Sequence, residues 1–265
     1  MTTLELSSNR VSAGQIFLRT CAAEWTRLWT VKATWWFLAA AAAIMIGFGA
    51  IAGFEAGSDP TPTPDASAWQ AAHFTGFPAQ FAFLALVLIA VTADYATGGI
   101  IPTLQWTPRR TVLFFARTVV TVGTATLAGI LLAVASALAA FIAAGQVLTL
   151  SLDDGIDTLA TVAFVFAAGT GLAAGLGFVL RNTAGGLVAV FLLILLLPLI
   201  LPQFGYDWLT TVADLLPGSR SIYLLTGEPN DRGFTTTSSV ITMLTWAVAL
   251  LLTGYVRLNR ADANR

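Results

Sequence analysis

The sequence predicts an all-α, polytopic membrane protein with six transmembrane helices, an N-terminal interfacial helix and outer half-helices before the last span. Three observations carry this. Hydrophobic residues make up 57% of the 265 residues and charged residues 10%, against roughly 45–50% and about 25% in an ordinary soluble protein. The few charges are clustered, so that six uncharged runs of 22 residues or more separate them. Each run exceeds the roughly 20 residues that a helix needs to cross about 30 Å of hydrocarbon. Finally, Arg and Lys fall almost entirely on alternate connecting segments, as the positive-inside rule requires of a spanning chain.

The same composition excludes several function classes. A soluble enzyme with so few charges would expose large apolar patches. The net charge of −1 provides no basic field for nucleic acid. One cysteine (Cys21) forms no internal disulfide, and with one histidine (His73) it builds no Cys/His zinc site. No metal ligand set is expected. The basic residues are twelve Arg and one Lys, a bias that fits a GC-rich genome.

The uncharged runs are 33–54 (22 residues), 66–93 (28), 118–152 (35), 158–180 (23), 182–206 (25) and 233–256 (24). They place the span cores near 35–54, 77–95, 118–142, 159–180, 185–202 and 238–256. The first run lies more than thirty residues from the start and is followed by Glu55 rather than a small-residue cleavage site, so it reads as a retained helix and not a signal peptide. With both termini inside, the inner segments hold eleven basic residues and the outer ones only Arg220 and Arg232. Inner charge is then +7 and outer charge −8, which sets an N-in, C-in topology in the cytoplasmic membrane.

The connecting segments are read in chain order. Phe17, Cys21, Trp25, Leu28 and Trp29 follow helical spacing, with Arg19, Arg27 and Lys32 on other faces. This predicts a basic helix over 12–33 lying on the inner surface with its apolar stripe in lipid; a plain juxtamembrane anchor fits the same pattern. In the first outer connection, 55–76, Pro at every second position of 60–64 predicts an extended linker. His73 beyond it reads as an interfacial residue.

The segment after span two begins with Asp94, breaks at Gly98-Gly99, restarts at Pro102 and ends at Pro108 with Arg109 and Arg110. It predicts a short cytoplasmic helix displaying Ile100, Ile101, Leu104 and Trp106, which is the composition of a docking surface. A re-entry helix facing headgroups is the alternative. The 35-residue run implies a tilted helix or one that extends past the bilayer. Asp153, Asp154 and Asp157 lack the ligand spacing of a calcium loop and read as a solvated loop.

Span four contains a formal GxGxxA match at 169–174, but it lies in mid-membrane with no acid until Asp207, so no dinucleotide site is read from it. Gly171 and Gly175 instead form a GxxxG pattern for close helix packing. Arg181-Asn182 makes a tight turn to span five. The outer segment 203–237 alternates amphipathic stretches with a break at Pro217-Gly218, predicting two short helices that dip into the outer leaflet. A single six-span domain over 1–265 is expected, with no soluble domain and no GxxxxGK[ST] phosphate loop.

The chain resembles the membrane subunit of type-2 ABC exporters, the ABC-2 permeases, and most closely their small actinobacterial members. The resemblance is carried by 24–36 (EWTRLWTVKATWW), by Asp94-Tyr-Ala-Thr-Gly98 with Thr103-Leu104 and Thr107-Pro-Arg-Arg110, and by Leu215-Leu-Pro-Gly218. It implies that Glu24, Trp25, Arg27, Leu28 and Lys32 belong to an interfacial connecting helix. It implies that Asp94, Gly98, Gly99, Thr103, Leu104, Trp106, Pro108, Arg109 and Arg110, within a segment spanning 94–111, form the coupling element that meets a separate ATPase. The acid is commonly Glu in that family and is Asp94 here; the usual Gly-Thr reads Gly98-Gly99. The partners implied are two copies of an ABC ATPase, which hold the ATP and magnesium, and a second permease copy or a related permease chain. The permease itself has no catalytic site and no cofactor, and its cargo is a hydrophobic or amphipathic drug, lipid or peptide.

Other classes fit less well. A secondary transporter needs ionisable groups near the midplane, and none of the six runs contains a charge. An intramembrane protease needs a Ser–His pair, paired aspartates or zinc ligands within the membrane, whereas His73 is the sole histidine and no span centre contains an acid. A non-transporting anchor or sensor subunit is the remaining alternative.

Overall fold

A computed structural model describes residues 12–61, 63, 65–99, 105, 109–145, 147–227 and 233–260. Of the described residues 87% are helical and none lies in a strand, and six of the helices are long and apolar enough to span a membrane. In order the elements are α1 (Ala13–Thr30), α2 (Lys32–Ser58), α3 (Trp69–Thr97), α4 (Arg110–Ala143), α5 (Leu152–Leu180), α6 (Thr183–Phe191), α7 (Asp207–Asp214), α8 (Pro217–Thr226) and α9 (Thr236–Arg260). A π-helical turn (Leu192–Leu196) and two short helical turns (Leu197–Ile200 and Leu201–Phe204) continue α6 to complete the fifth span. In α5, 78% of the most apolar stretch is buried, against 22% in α2, in the fifth span and in α9. The fourth span is therefore the axis around which the others pack.

Ser12 starts α1 with a capping box: its hydroxyl accepts from the Gln15 amide, and the Gln15 side chain accepts from the Ser12 amide, both at 3.2 Å. α1 ends at Val31, whose extended backbone makes the corner into α2. That corner is fixed by side chains reaching back: Thr34 Oγ1 donates to Leu28 O at 2.6 Å and Trp35 Nε1 to Trp29 O at 3.1 Å. The Trp29 ring lies 5.5 Å from Trp25 and 5.1 Å from Trp35. The predicted lipid-facing stripe of α1 is corrected here. Leu28 is buried and Cys21 packs on the core, so the stripe faces the bundle and only Trp25 remains exposed. The reason is Glu24, which shares that face and is drawn inward by a cation on α4.

Glycine decides two helix contacts. Gly49, Gly53 and Gly57 line one face of α2 at four-residue spacing, against Ser136 and Ala140 of α4 and Ala144, which caps it. A Cβ on Gly53 would lie 2.2 Å from the Ala140 carbonyl oxygen, so the backbones touch directly. On α5, a Cβ on Gly175 would lie 2.6 Å from the Leu250 carbonyl carbon of α9, and one on Gly254 would lie 3.1 Å from Gly175 O. Gly171 has only ordinary contacts, 3.7 Å to Leu251 and 3.9 Å to Ala247. The close approach thus sets Gly175 against the Leu250–Leu251 backbone, with Gly254 one turn further along α9.

The fifth span changes register for a covalent reason. Pro198 has no N–H to give the Ile194 carbonyl four residues earlier, and the chain widens to a π turn in which Leu197 N–H bonds to Leu192 O. Gly218 at the start of α8 packs on that released carbonyl: a Cβ there would be 2.1 Å from Ile194 O. The two short outer helices are present as α7 and α8, but the break falls at Leu215-Leu216, and Pro217 opens the second helix instead of ending the first.

Three boundaries move. α3 starts at Trp69, so the first outer connection shortens to ten residues between Ser58 and Trp69. It is tied down by reciprocal bonds, Ala68 N–H to Thr149 O at 2.9 Å and Thr149 N–H to Ala66 O at 2.8 Å, and by Trp69 Nε1 to Ser151 O at 2.9 Å. Asp153 and Asp154 lie not in a loop but in the first turn of α5, where Ser151 caps and the helix dipole favours acids. α4 has 34 residues, roughly 50 Å of helix. It begins eight residues before the uncharged run and ends nine before that run does.

Candidate functional site

The end of the bundle that carries α1 gathers four charged side chains from three helices. α1 contributes Glu24 and Arg27, one turn apart. α3 contributes Asp94, one turn before its end at Gly98. α4 contributes Arg117, two turns after its start. Arg117 grips Glu24 with both limbs of its fork, Nε to Oε2 at 3.0 Å and Nη2 to Oε1 at 2.8 Å. The same Nη2 donates to Asp94 Oδ2 at 2.7 Å. Arg27 Nη1 donates to that same Asp94 oxygen at 2.7 Å and lies 3.5 Å from Glu24, while its Nη2 bonds to the Ala90 carbonyl.

Two acids and two guanidiniums make the cluster neutral overall, and it is largely out of water. The Arg117 side chain is 1% exposed, Glu24 8% and Asp94 15%, with Arg27 the most open at 27%. Burial lowers the Arg27 guanidinium from its ordinary value and the adjacent Arg117 charge acts in the same direction; Glu24 and Asp94 oppose both. Such a group stays charged. Arg117 Nη1 is buried without a partner among the described residues. A cluster holding a spare donor is less firmly locked than a saturated one.

The same end ties down the last span. Arg110 Nη1 donates to Leu258 O and Arg181 Nη2 to Arg257 O, each at 3.1 Å. Both cations thus sit at the carbonyl-rich C-terminus of α9, where positive charge is favourable. Arg181 adopts a left-handed backbone (φ 54°) between α5 and α6 and lies 5.4 Å over the Tyr95 ring.

Of the residues singled out from sequence, Asp94, Glu24 and Arg27 meet in one cluster. Leu28 is buried beside them, Trp25 packs on Trp29, and Lys32 is exposed at the start of α2. Gly98 ends α3 with φ 74°, a left-handed value that glycine adopts without strain. Gly99 follows it, Arg109 is the exposed residue preceding α4, and Arg110 is engaged with α9. Thr103, Leu104, Trp106 and Pro108 lie outside the described residues, as do Ile100, Ile101 and Pro102. Sequence reasoning missed Arg117, counting it merely as an inner positive charge. A usable signal existed: Asp94 and Arg117 flank one short connection between two spans, and so stand at the same depth on neighbouring helices.

Among the described residues, no group of three or more His, Cys, Asp or Glu is placed to hold a metal ion. Comparison with models of protein families and with curated proteins gives no match for this chain.

Proposed function

We propose that this chain is the membrane-spanning permease subunit of an ATP-driven exporter, and that the Glu24–Arg27–Asp94–Arg117 cluster is the joint through which a separate ATPase moves it. The reading rests on one observation above all: Arg117 binds Glu24 and Asp94 at once. Asp94 and Arg117 stand on the two arms of the connection between α3 and α4, while Glu24 and Arg27 belong to the helix outside the bundle. A push on that connection therefore has a charged, buried route to α1, and through Arg110 a second route to the end of α9.

In this account both termini are cytoplasmic, and the connection 98–110 is the surface that docks on the ATPase. Two ATPase copies hold ATP and magnesium and close on nucleotide. Two permease chains, identical or related, then rock to release a hydrophobic or amphipathic cargo. This chain contributes no catalytic group. Its phosphate chemistry belongs to the partner, and its own residues transmit displacement.

The test is to change Leu104 and Trp106 together to Asp. Each fully buried large side chain at a docked surface is worth roughly 1.5–3 kcal/mol, so the ATPase should be lost from pull-downs while membrane yield and permease self-association persist. Undiminished pull-down at normal yield contradicts the docking assignment.

A further inference from the structure

The last uncharged run of the chain stops at Val256, and Arg257 and Arg260 follow it on the same helix. Along this end of α9 lies an open groove of about 570 Å³, lined among the described residues by Leu252, Thr253, Val256, Arg257 and Arg260. Its volume falls within the roughly 300–1,000 Å³ of small-molecule sites. The five residues recur at three- and four-residue spacing, so they share one face. From Leu252 to Arg260 that face covers about 12 Å of helix. Leu252 and Val256, 59% and 43% exposed, form its apolar half. The Thr253 hydroxyl donates to Ala249 O at 2.7 Å, which leaves the two guanidiniums as the donors of the groove.

Both cations are available. Basic side chains in the last turn of a helix usually offset its carbonyl end, but here Arg181 and Arg110 bond to the Arg257 and Leu258 carbonyls from neighbouring elements. Arg257 and Arg260 are exposed and make no ion pair among the described residues. Glu24 and Asp94, the acids described at this end of the bundle, are held by Arg117. The field over the groove is therefore positive, with its apolar wall on the side toward the middle of the span.

We propose that this groove seats one anionic phospholipid. Its phosphate lies against Arg257 and Arg260, the upper methylenes of one acyl chain run along Val256 and Leu252, and the rest of the molecule stays in the bilayer. Apolar and charged residues stand here in the order in which a lipid presents its chain and its headgroup. A free phosphate would gain nothing from Leu252 and Val256, and a zwitterionic lipid would bring its own cation toward the two Arg. The inference needs only that α9 spans the membrane and is independent of the export reading.

Native mass spectrometry of the intact protein tests it, with dioleoyl-phosphatidylglycerol and dioleoyl-phosphatidylcholine offered in equal amounts. One phosphatidylglycerol per chain should be retained in preference to phosphatidylcholine. Arg257→Gln and Arg260→Gln should each weaken that retention about fivefold, the value of one basic residue near an anionic headgroup, with helical content unchanged. Arg19→Gln removes a likewise exposed cation from α1 and should leave retention as it is. Inorganic phosphate at millimolar concentration should not displace the lipid. Equal retention of the two lipids, or of neither, overturns the headgroup assignment, and so does retention undiminished by the two α9 changes. An effect of Arg19→Gln as large as theirs would mean that the lipid answers to the charge of the whole surface, which overturns the groove. Displacement by phosphate would assign the two Arg to a free anion and sink the proposal.

Discussion

Arg117 is the residue on which most of the site depends. It satisfies two carboxylates from different helices, Glu24 on α1 and Asp94 on α3, and each carboxylate is costly to leave buried and unpaired. Removing one member of a buried pair costs about 3–5 kcal/mol, so Arg117→Met should destabilise the purified protein strongly in thermal unfolding followed by helical circular dichroism. Arg117→Lys keeps the charge but replaces a two-limbed fork with a point donor, and its loss should be intermediate. Glu24→Gln combined with Arg117→Gln should be less damaging than the sum of the two singles, with a coupling of about 1–3 kcal/mol; strict additivity would mean that the pair does not act as a unit. None of this is visible in a list of uncharged runs. A run ends at a charge whether that charge is bathed in water or buried against a partner 93 positions away, as Arg117 is from Glu24. Glu24 was the available hint, because a lone acid within a basic interfacial helix has little reason to lie in lipid headgroups.

At the scale of the element, the two glycine seams set how close the spans come. Gly53→Ala places a methyl group against the Ala140 backbone, which has no flexible side chain to give way, so α2 must move off α4. Gly47, on the same helix, has open space where a methyl group would go, with nothing within 4 Å of it. Gly47→Ala should therefore be neutral or stabilising, gaining up to about 1 kcal/mol of helix propensity. A pair of thermal melts checks both, and equal effects would contradict the seam. The four-residue spacing of Gly49, Gly53 and Gly57 was legible in the sequence as readily as that of Gly171 and Gly175. What spacing could not supply was the partner. Gly175 matters because the α9 backbone at Leu250 and Leu251 lies against it, whereas Gly171, in the same motif, has room to spare. Helix ends were misjudged for a related reason. Hydropathy registers where lipid begins and not where backbone hydrogen bonding stops, so α3 and α5 run past the apolar stretch as far as Trp69 and Ser151 allow. The turn at Pro198 and its contact with Gly218 required knowing that α8 folds back onto the fifth span.

For the whole molecule, six spans followed from composition because the cost of polar groups in hydrocarbon is paid segment by segment and needs no tertiary information. Orientation rests on the division of Arg and Lys. Thiols introduced at Thr63, Asp154 and Pro229 should react with an impermeant label from outside, and those at Thr107 and Asn259 should not; one reversal breaks the proposed topology. The chain purified alone should neither bind nor hydrolyse ATP, and saturable magnesium-dependent hydrolysis by the clean protein would defeat the proposed division of labour.

The central claim is that motion of the connection between α3 and α4 reaches α1 through Arg117. The direct measurement places spin labels at Thr26 on α1 and Asn259 on α9, both exposed, in a Cys21→Ser background, in the complex with the proposed ATPase in lipid nanodiscs. Their distance distribution is read without nucleotide and with ATP, magnesium and vanadate. The account predicts a nucleotide-dependent shift in the otherwise native protein that collapses in Arg117→Gln while the ATPase stays bound. A shift of the same size in Arg117→Gln would contradict it.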